Sequence, residues 1–167
     1  MCYNRLIPND TGLIMKTRKL LDRAIQIAAA AHAGQFDKGG MPYLMHPMRV
    51  MSFLKGNDEE LQCIAVLHDV LEDSSVTAED LLAAGMTQRI VSGVQCLTKL
   101  KGESYDNYKL RVFASVDAMR VKLADLRHNS DIRRLKGVTQ KDVDRIAKYH
   151  TFFLEISDRL STSHNYA

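Results

Sequence analysis

The sequence predicts an all-α protein, a compact single domain of about eight helices. Over most of the chain, apolar residues recur at intervals of three and four, as they do on one face of a helix. No stretch alternates apolar and polar residues in the way that a half-buried strand does. Glycine, proline and capping residues separate the periodic stretches, so the connections between helices are expected to be short.

The helices are placed by their start and stop signals. Gly34 stops the first helix, Pro47 begins the second, and Gly137 precedes the last. Residues 1–15 are expected to form an irregular arm and residues 161–167 a flexible tail. The domain covers residues 16–160, with helices expected at 16–33, 47–54, 58–73, 77–85, 87–97, 105–114, 118–128 (with a continuation toward 135 left open) and 139–160.

The composition excludes several classes of protein. With 46% hydrophobic and 26% charged residues, the 167-residue chain has the balance of a soluble globular domain. Cys2, Cys63 and Cys96 are odd in number and widely spaced, which argues against a disulfide framework and for the reducing cytoplasm. No apolar run reaches membrane-spanning length, and no basic stripe with interleaved aromatics indicates nucleic-acid binding. The net charge of +3 suits an anionic substrate, but ordinary surface lysines explain it equally well.

The most informative stretch is residues 68–73, which read His-Asp-Val-Leu-Glu-Asp and are expected to close the third helix. His68 continues the apolar stripe of that helix and is therefore expected to be buried. Glu72 and Asp73 follow His68 and Asp69 by four residues, which would place each carboxylate one turn further along. Three acids in one helical turn repel one another and oppose the helix dipole, and a bound cation would reverse both effects. A core histidine with solvated acids is the alternative.

Two further residues complete a candidate metal site. Asp125 interrupts the apolar stripe of the seventh helix, where a buried carboxylate requires a cation or several hydrogen-bond donors. An ion pair with a lysine or arginine inside the bundle is the alternative for Asp125. His46 precedes Pro47, which is expected to hold it extended and so to fix the direction of its imidazole. With His68 and Asp69, these residues offer nitrogen and oxygen ligands without thiolate, a set typical of Mn²⁺, Fe²⁺ or Mg²⁺ and not of structural zinc.

Three segments carry extended motifs. Residues 39–47 read G-G-M-P-Y-L-M-H-P, residues 68–73 read H-D-V-L-E-D, and residues 122–129 read K-L-A-D-L-R-H-N. In this order they resemble the G-x-P-Y-x-x-H-P, H-D-x-x-E-D and K-L-A-D-x-x-H/Y-N segments of HD-domain metal-dependent phosphohydrolases. The resemblance is closest to the hydrolase domain of the RelA/SpoT proteins and to the stand-alone small alarmone hydrolases. It spans about residues 24–153 and implies the all-α HD-domain fold.

The resemblance also implies a reaction, the removal of the 3′-pyrophosphate from guanosine tetra- or pentaphosphate. The implied partner is this small-molecule nucleotide, and the implied cofactor is Mn²⁺; the oligomeric state is not predicted. The chain has no room for the synthetase and regulatory regions of the long enzymes, so hydrolysis without synthesis is expected. By their match to the family's motifs, the metal ligands are His46, His68, Asp69 and Asp125, the catalytic residues are Glu72 and Asp73, and the substrate contacts are Lys38, Asn129 and Tyr149.

Some positions depart from the family's pattern or have a second explanation. Asp37 stands where the family usually has a basic residue that stacks on the base, so guanine preference is open. Arg127 follows Leu126 in the reverse of the usual order and is expected to point to another face. For Tyr149, a place in the core is an equally good explanation. Residues 99–108 either form a rim of the pocket or only begin a helix.

Two other functions remain open from the sequence. The first is a phosphohydrolase that acts on another nucleotide, such as an adenine alarmone or the 2′-phosphate of NADPH, and Asp37 is the reason to consider it. The second is a nucleotide-sensing module that keeps the HD scaffold without catalysis. The intact pair of Glu72 and Asp73 argues against the second, because a pure binding site gains nothing from carboxylates beside phosphates.

Overall fold

The computed structural model describes residues 14–163, with side-chain surroundings for residues 19–162. Within this range the chain forms nine α-helices and one 3₁₀ turn: α1 (Ile14–Ala31), α2 (Met45–Ser52), α3 (Glu59–Leu67), α4 (Val70–Asp73), α5 (Ala78–Ala83), α6 (Gln88–Leu97), α7 (Tyr105–Phe113), α8 (Val116–Asn129), the 3₁₀ turn (Ile132–Arg134) and α9 (Gln140–Ser163). The predicted all-α class is confirmed, since the described residues pair in β-fashion only at an isolated bridge between Phe36 and Pro42. None of the helices in this range has the length and apolar character needed to cross a bilayer.

Helix ends differ from the predicted ones where capping residues decide them. α8 begins at Val116 because the Ser115 side chain accepts a hydrogen bond from the Ala118 backbone N–H. It does not continue toward Leu135, since the Asp131 side chain caps a separate 3₁₀ turn. α1 already includes residues 14 and 15 of the predicted arm, and α9 includes residues 161–163 of the predicted tail. The rest of the arm and tail lies outside the described residues.

The predicted third helix is two helices, α3 and α4. His68 and Asp69 form the turn between them, and Asp69 has φ −100° and ψ −6°. The His68 Nδ1 atom lies 2.8 Å from the Ala65 carbonyl oxygen, which a continuing helix would use for its own backbone hydrogen bond. The prediction of one continuous helix is therefore wrong. Asp73 still follows Asp69 by one turn, because its N–H donates to the Asp69 carbonyl at 2.9 Å.

α3 is the central helix of the bundle and packs against α1, α2, α6 and α8. Its residues from Cys63 to Leu67 are fully buried, so the helix is apolar on all sides in its second half. A helix of this kind is stable only when neighbours cover it completely. Its C-terminal end, where His68 lies, is consequently inside the protein.

Gly93 allows α6 to approach α3 closely. A Cβ atom built at Gly93 would lie 2.6 Å from Ile64 Cδ1 and 3.0 Å from Ile64 Cγ1. We expect Gly93→Ala to lower the free energy of unfolding by roughly 1–3 kcal/mol, because overpacking forces the helices apart. Urea denaturation measures this change. Gly137→Ala is the control, since a Cβ there meets nothing within 4 Å, and equal stability of the two variants would contradict the close packing.

Candidate metal centre and adjoining cavity

Two histidines and two aspartates from three regions of the chain meet inside the bundle. His46 comes from α2, His68 and Asp69 from the turn after α3, and Asp125 from α8. His46 Nε2 is 3.4 Å from Asp69 Oδ2 and 3.2 Å from Asp125 Oδ1. His68 Nε2 is 3.1 Å from Asp69 Oδ2 and 3.7 Å from Asp125 Oδ1. Both histidines and Asp125 are 3% exposed and the Asp69 side chain is 21% exposed, so the cluster is buried except on the side of Asp69.

The orientation of His68 suits a metal ligand. Its Nδ1 donates to the Ala65 carbonyl in the neutral ring, which leaves the Nε2 lone pair free to face the carboxylates. This buried Nε2 has no hydrogen-bond partner among the described residues. An unpartnered buried nitrogen beside two carboxylates is the arrangement that a divalent ion would complete.

His46 is held in a different way from the predicted one. It lies within α2 and is not extended, since its N–H donates to the Tyr43 carbonyl at 2.8 Å. Pro47 is tolerated there because the first turn of a helix leaves its N–H groups unpaired. The ring is fixed instead by His128, whose Nδ1 lies 2.7 Å from His46 Nδ1. His46 Nε2 is thereby directed toward Asp69 and Asp125.

The cluster is electrostatically coupled. Burial disfavours every charge in it, but the Asp69 and Asp125 carboxylates raise the pKa of His68 to about 10 and also raise the pKa of His46. Conversely, Lys122 and the two histidines keep the pKa of Asp125 well below its ordinary range in spite of burial. Against the effect of burial, His68 and His46 also hold the pKa of Asp69 well below its ordinary range. The two aspartates therefore stay ionised and require positive charge beside them. A divalent cation supplies that charge without protonating the histidines.

Asp125 has partners on both sides. Lys122 Nζ donates to its Oδ2 at 2.7 Å, and Asn129 Nδ2 donates to its Oδ1 at 2.6 Å. The buried ion pair considered from the sequence is therefore present, together with the contacts to both imidazoles. The pair with Lys122 fixes the carboxylate and leaves Oδ1 turned toward the cluster.

The two acids of α4 occupy different surroundings. Asp73 lies near the Tyr43 hydroxyl, which donates to Asp69 Oδ2 at 2.7 Å. Burial and the Asp69 charge raise the pKa of Asp73. Glu72 Oε2 accepts a hydrogen bond from the Lys99 backbone N–H at 2.8 Å. Glu72 thus holds the connection after α6, while Asp73 lies close enough to Asp69 for the two charges to interact.

The segment of residues 99–108 serves mainly as a helix start. The Ser104 side chain accepts from the Asn107 N–H and caps α7. Arg111 Nε donates to Glu103 Oε1 at 2.8 Å, which ties the connection to α7. These contacts support the explanation that residues 99–108 begin a helix.

A cavity of about 290 Å³ adjoins the metal cluster. Tyr43 and His46 line it, so the cavity and the cluster share a wall. The three residues predicted as substrate contacts also line it, together with two arginines that the sequence analysis did not select. These five residues are Lys38, Asn129, Tyr149, Arg134 and Arg145. Tyr149 packs against the core as well, and its role as a substrate contact stays a prediction.

The side of the cavity that Asp37 lines still carries a guanidinium group, that of Arg134. Arg134 Nη2 donates to Asp37 Oδ2 at 2.8 Å, and Arg134 Nη1 donates to the His128 carbonyl at 3.1 Å. The other Asp37 oxygen accepts from the backbone N–H groups of Gly39 and Met41. Asp37 therefore shapes the loop before α2 and holds an arginine that comes from the far end of the chain.

Comparison with known protein families matches residues 24–148 to the HD domain. The chain belongs to the HD-domain family. This confirms the resemblance drawn from the three motifs and supports the predicted class of enzyme, a metal-dependent hydrolase. Members of this class place their metal on histidine and aspartate side chains, and the described residues of this HD domain provide such a group.

Individual proteins similar to this HD domain are also named as hydrolases. The guanosine-3′,5′-bis(diphosphate) 3′-pyrophosphohydrolase of Haemophilus influenzae is 35% identical over 151 residues, which are 83% of this chain and 22% of the relative. The bifunctional (p)ppGpp synthase/hydrolase SpoT of Escherichia coli is 35% identical over 142 residues, 78% of this chain and 20% of SpoT. The chain thus spans about a fifth of the length of these curated relatives.

A solved structure also resembles the HD domain over most of its length. It is a metazoan ortholog of SpoT, described as hydrolysing ppGpp and acting in starvation responses. The two share 25% sequence identity with a TM-score of 0.69, over 83% of this chain and 85% of the other. The likeness confirms the HD-domain fold that the sequence predicted.

Sequence reasoning missed four residues that shape the site. Tyr43 and His128 stand inside the quoted motifs, so the motifs could have identified them. Arg145 precedes Tyr149 by four residues on α9, and this spacing places both on one helix face. Arg134 had no such signal, because its position depends on the 3₁₀ turn that follows α8.

Proposed function

We propose that this HD domain is a Mn²⁺-dependent hydrolase that removes the 3′-pyrophosphate of guanosine tetra- or pentaphosphate, giving GDP or GTP and pyrophosphate. The observation that carries the proposal is the wall shared by the cavity and the cluster, formed by Tyr43 and His46. A phosphorylated ligand in the cavity would place a phosphoryl group next to the ligating side chains. The names of the similar proteins support this substrate.

In this proposal His46, His68, Asp69 and Asp125 hold the metal. Bound there, a divalent ion would supply Lewis-acid activation of a water molecule and of a phosphoryl oxygen. Nitrogen and oxygen donors without thiolate suit Mn²⁺, Fe²⁺ or Mg²⁺, and we propose Mn²⁺ because the resemblance to the alarmone hydrolases implies it. Asp125 keeps its orientation through Lys122, as the geometry of the cluster requires.

Asp73 is the candidate general base. It follows Asp69 by one helical turn and lies near the Tyr43 hydroxyl that donates to Asp69, and burial and the Asp69 charge raise its pKa in the ion-free protein. Glu72, the second carboxylate proposed as catalytic, is anchored by the Lys99 backbone and would assist in placing the water. The proton taken from the water passes to the carboxylate of Asp73 as the water oxygen attacks the phosphorus bound to O3′. The bond between that phosphorus and O3′ breaks, pyrophosphate leaves, and the 3′-oxygen takes up a proton to become the 3′-hydroxyl of GDP or GTP.

The cavity would bind the nucleotide. Lys38, Arg134 and Arg145 line it and provide positive charge for phosphate oxygens. Tyr149 offers an aromatic face for the nucleoside, and Asn129 lines the same cavity while its amide holds Asp125. The activity proposed for this domain is hydrolysis, because residues 14–163 form one helical domain of the hydrolase type. The free thiols of Cys63 and Cys96 support a cytoplasmic location.

The proposal is tested with guanosine tetraphosphate and purified protein reloaded with Mn²⁺. We expect GDP and pyrophosphate as products, resolved by chromatography, and no turnover after the metal is removed with a chelator. Absence of product from protein that carries one metal per chain would overturn the proposed substrate. An adenine alarmone and NADPH are run in parallel, and faster turnover of either would transfer the assignment to that nucleotide.

Arg134 is expected to control substrate affinity. Arg134→Ala should raise KM for guanosine tetraphosphate about tenfold, because it removes a charged hydrogen-bond donor from the cavity. The change in kcat should be small, because Arg134 is not a metal ligand. The measurement is steady-state kinetics on the Mn²⁺ protein. Arg120→Ala is the matched control, since Arg120 is exposed on α8 and does not line the cavity. Equal effects of the two substitutions would show that Arg134 does not act through the cavity.

A further inference from the structure

A second cavity, of about 580 Å³, is lined in part by His128. We name it the arginine cavity after its lining residues, which include Arg49, Phe53, Arg127, His128, Arg133 and Arg134. Asp131 is the one acid among the described residues that line it. None of the four ligating residues of the metal cluster lines it. It shares Asp131 and Arg134 with the cavity beside the cluster, here called the catalytic cavity, so the two cavities adjoin.

The charge of the arginine cavity is only partly neutralised. Arg133 pairs with Asp131 at 2.8 Å, and Arg134 pairs with Asp37 at 2.8 Å. Arg49 and Arg127 form no ion pair with a carboxylate in the part of the chain that the structure describes. Guanidinium groups gathered without counter-charges repel one another, and a bound anion would remove that repulsion.

The sequence explains why Arg127 lies here. Leu126 is 1% exposed and packs in the core, so the next residue on α8 faces outward on a different side from Asp125. Arg127 Cζ lies 4.1 Å from the centre of the Phe53 ring. This stacking fixes the guanidinium plane and covers a ring face that a nucleobase would otherwise occupy. The reversed order of Leu126 and Arg127 therefore builds one wall of the arginine cavity.

We propose that the arginine cavity binds the multiply charged phosphate group of a small phosphorylated molecule, outside the catalytic cavity. Planar guanidinium groups match phosphate oxygens with paired hydrogen bonds. The volume falls in the range of cavities that bind small molecules, and the concave shape favours such a ligand over an extended nucleic acid. With the Phe53 face covered, recognition rests on the phosphates and not on a base.

The test is isothermal titration of metal-free protein with inorganic pyrophosphate. The wild-type protein is expected to bind at the arginine cavity, with a further site in the catalytic cavity where Arg145 contributes. Arg127→Ala should weaken binding at the arginine cavity at least tenfold, as expected from the loss of one charged donor. Arg145→Ala should weaken only the other site. GDP is titrated next. If GDP and pyrophosphate bind with equal affinity, the phosphate groups and not the nucleoside are what the cavity recognises.

Arg120→Ala is the matched control. Arg120 is exposed on the same helix, α8, and lines neither cavity, so its replacement changes the net charge by the same amount. Unchanged pyrophosphate affinity in Arg127→Ala, or an equal loss in Arg120→Ala, would overturn the proposal. So would binding of a long DNA duplex without binding of pyrophosphate. Because these titrations involve no turnover, they are independent of the outcome of the hydrolysis assay.

Discussion

Asp69→Asn is expected to abolish hydrolysis and to weaken metal binding while the fold stays intact. The Asp69 carboxylate contacts both ligating histidines and accepts a hydrogen bond from Tyr43. An amide keeps the shape of this group but loses the charge that a divalent ion requires. The lost Lewis-acid stabilisation is worth several kcal/mol, and each 1.4 kcal/mol or so is a factor of ten, so kcat/KM should fall roughly a thousand-fold or more.

The measurements are metal content by elemental analysis and turnover of guanosine tetraphosphate. Asp106→Asn is the control, because Asp106 is an exposed acid on α7 outside both cavities. Asp69 is a cleaner probe than Asp125, whose removal would also leave Lys122 without its carboxylate partner and so destabilise the protein. Wild-type turnover in Asp69→Asn protein would exclude the cluster as the catalytic centre.

Asp73→Asn is expected to lose most of the rate and to keep the metal. General-base catalysis contributes typically about 10²–10⁴-fold, and kcat should fall by a factor in that range. The pKa of Asp73 is raised above its ordinary value of 3.8 by burial and by Asp69. The carboxylate accepts a proton only while it is ionised, so the rate of the wild-type protein should decline as the pH falls through the pKa that Asp73 has beside the bound ion.

The pH profile of kcat at saturating Mn²⁺ checks this, and the acidic decline should disappear in Asp73→Asn. Glu72→Gln serves for comparison, since its amide oxygen can still accept from the Lys99 N–H. Loss of bound metal in Asp73→Asn would make Asp73 a ligand and remove its role as base. A larger loss of rate in Glu72→Gln, with an unchanged acidic limb in Asp73→Asn, would assign the base to Glu72.

The sequence predicted the helices and the convergence of the cluster because both depend on local patterns. Apolar periodicity and capping residues mark each helix, and His68 and Asp125 interrupt stripes that are otherwise apolar. A buried polar residue needs partners, so the interruptions indicate that these side chains meet. The roles of the catalytic and substrate-binding residues remain predictions, for which the variants above are the tests.

What the sequence did not predict depends on contacts between distant residues. The end of α3 at Leu67 results from a side-chain bond to a backbone carbonyl, and no propensity of His68 or Asp69 indicates it. In an unbroken helix neighbouring side chains diverge by about 100°. The turn at His68 and Asp69 allows both to face the same cluster. Likewise, the pairing of Arg134 with Asp37 joins residues far apart in sequence.

Metal binding is coupled to folding, because the ligating side chains come from three separate regions of the chain. His46, His68 and Asp125 approach one another only after α2, α3 and α8 have packed, so the unfolded chain has no comparable site. An ion that binds only the native state stabilises it by RT ln(1 + [ion]/Kd), about 2.7 kcal/mol at a hundred-fold excess over Kd. A shortage of the ion would therefore reduce the folded population as well as the activity of each folded molecule.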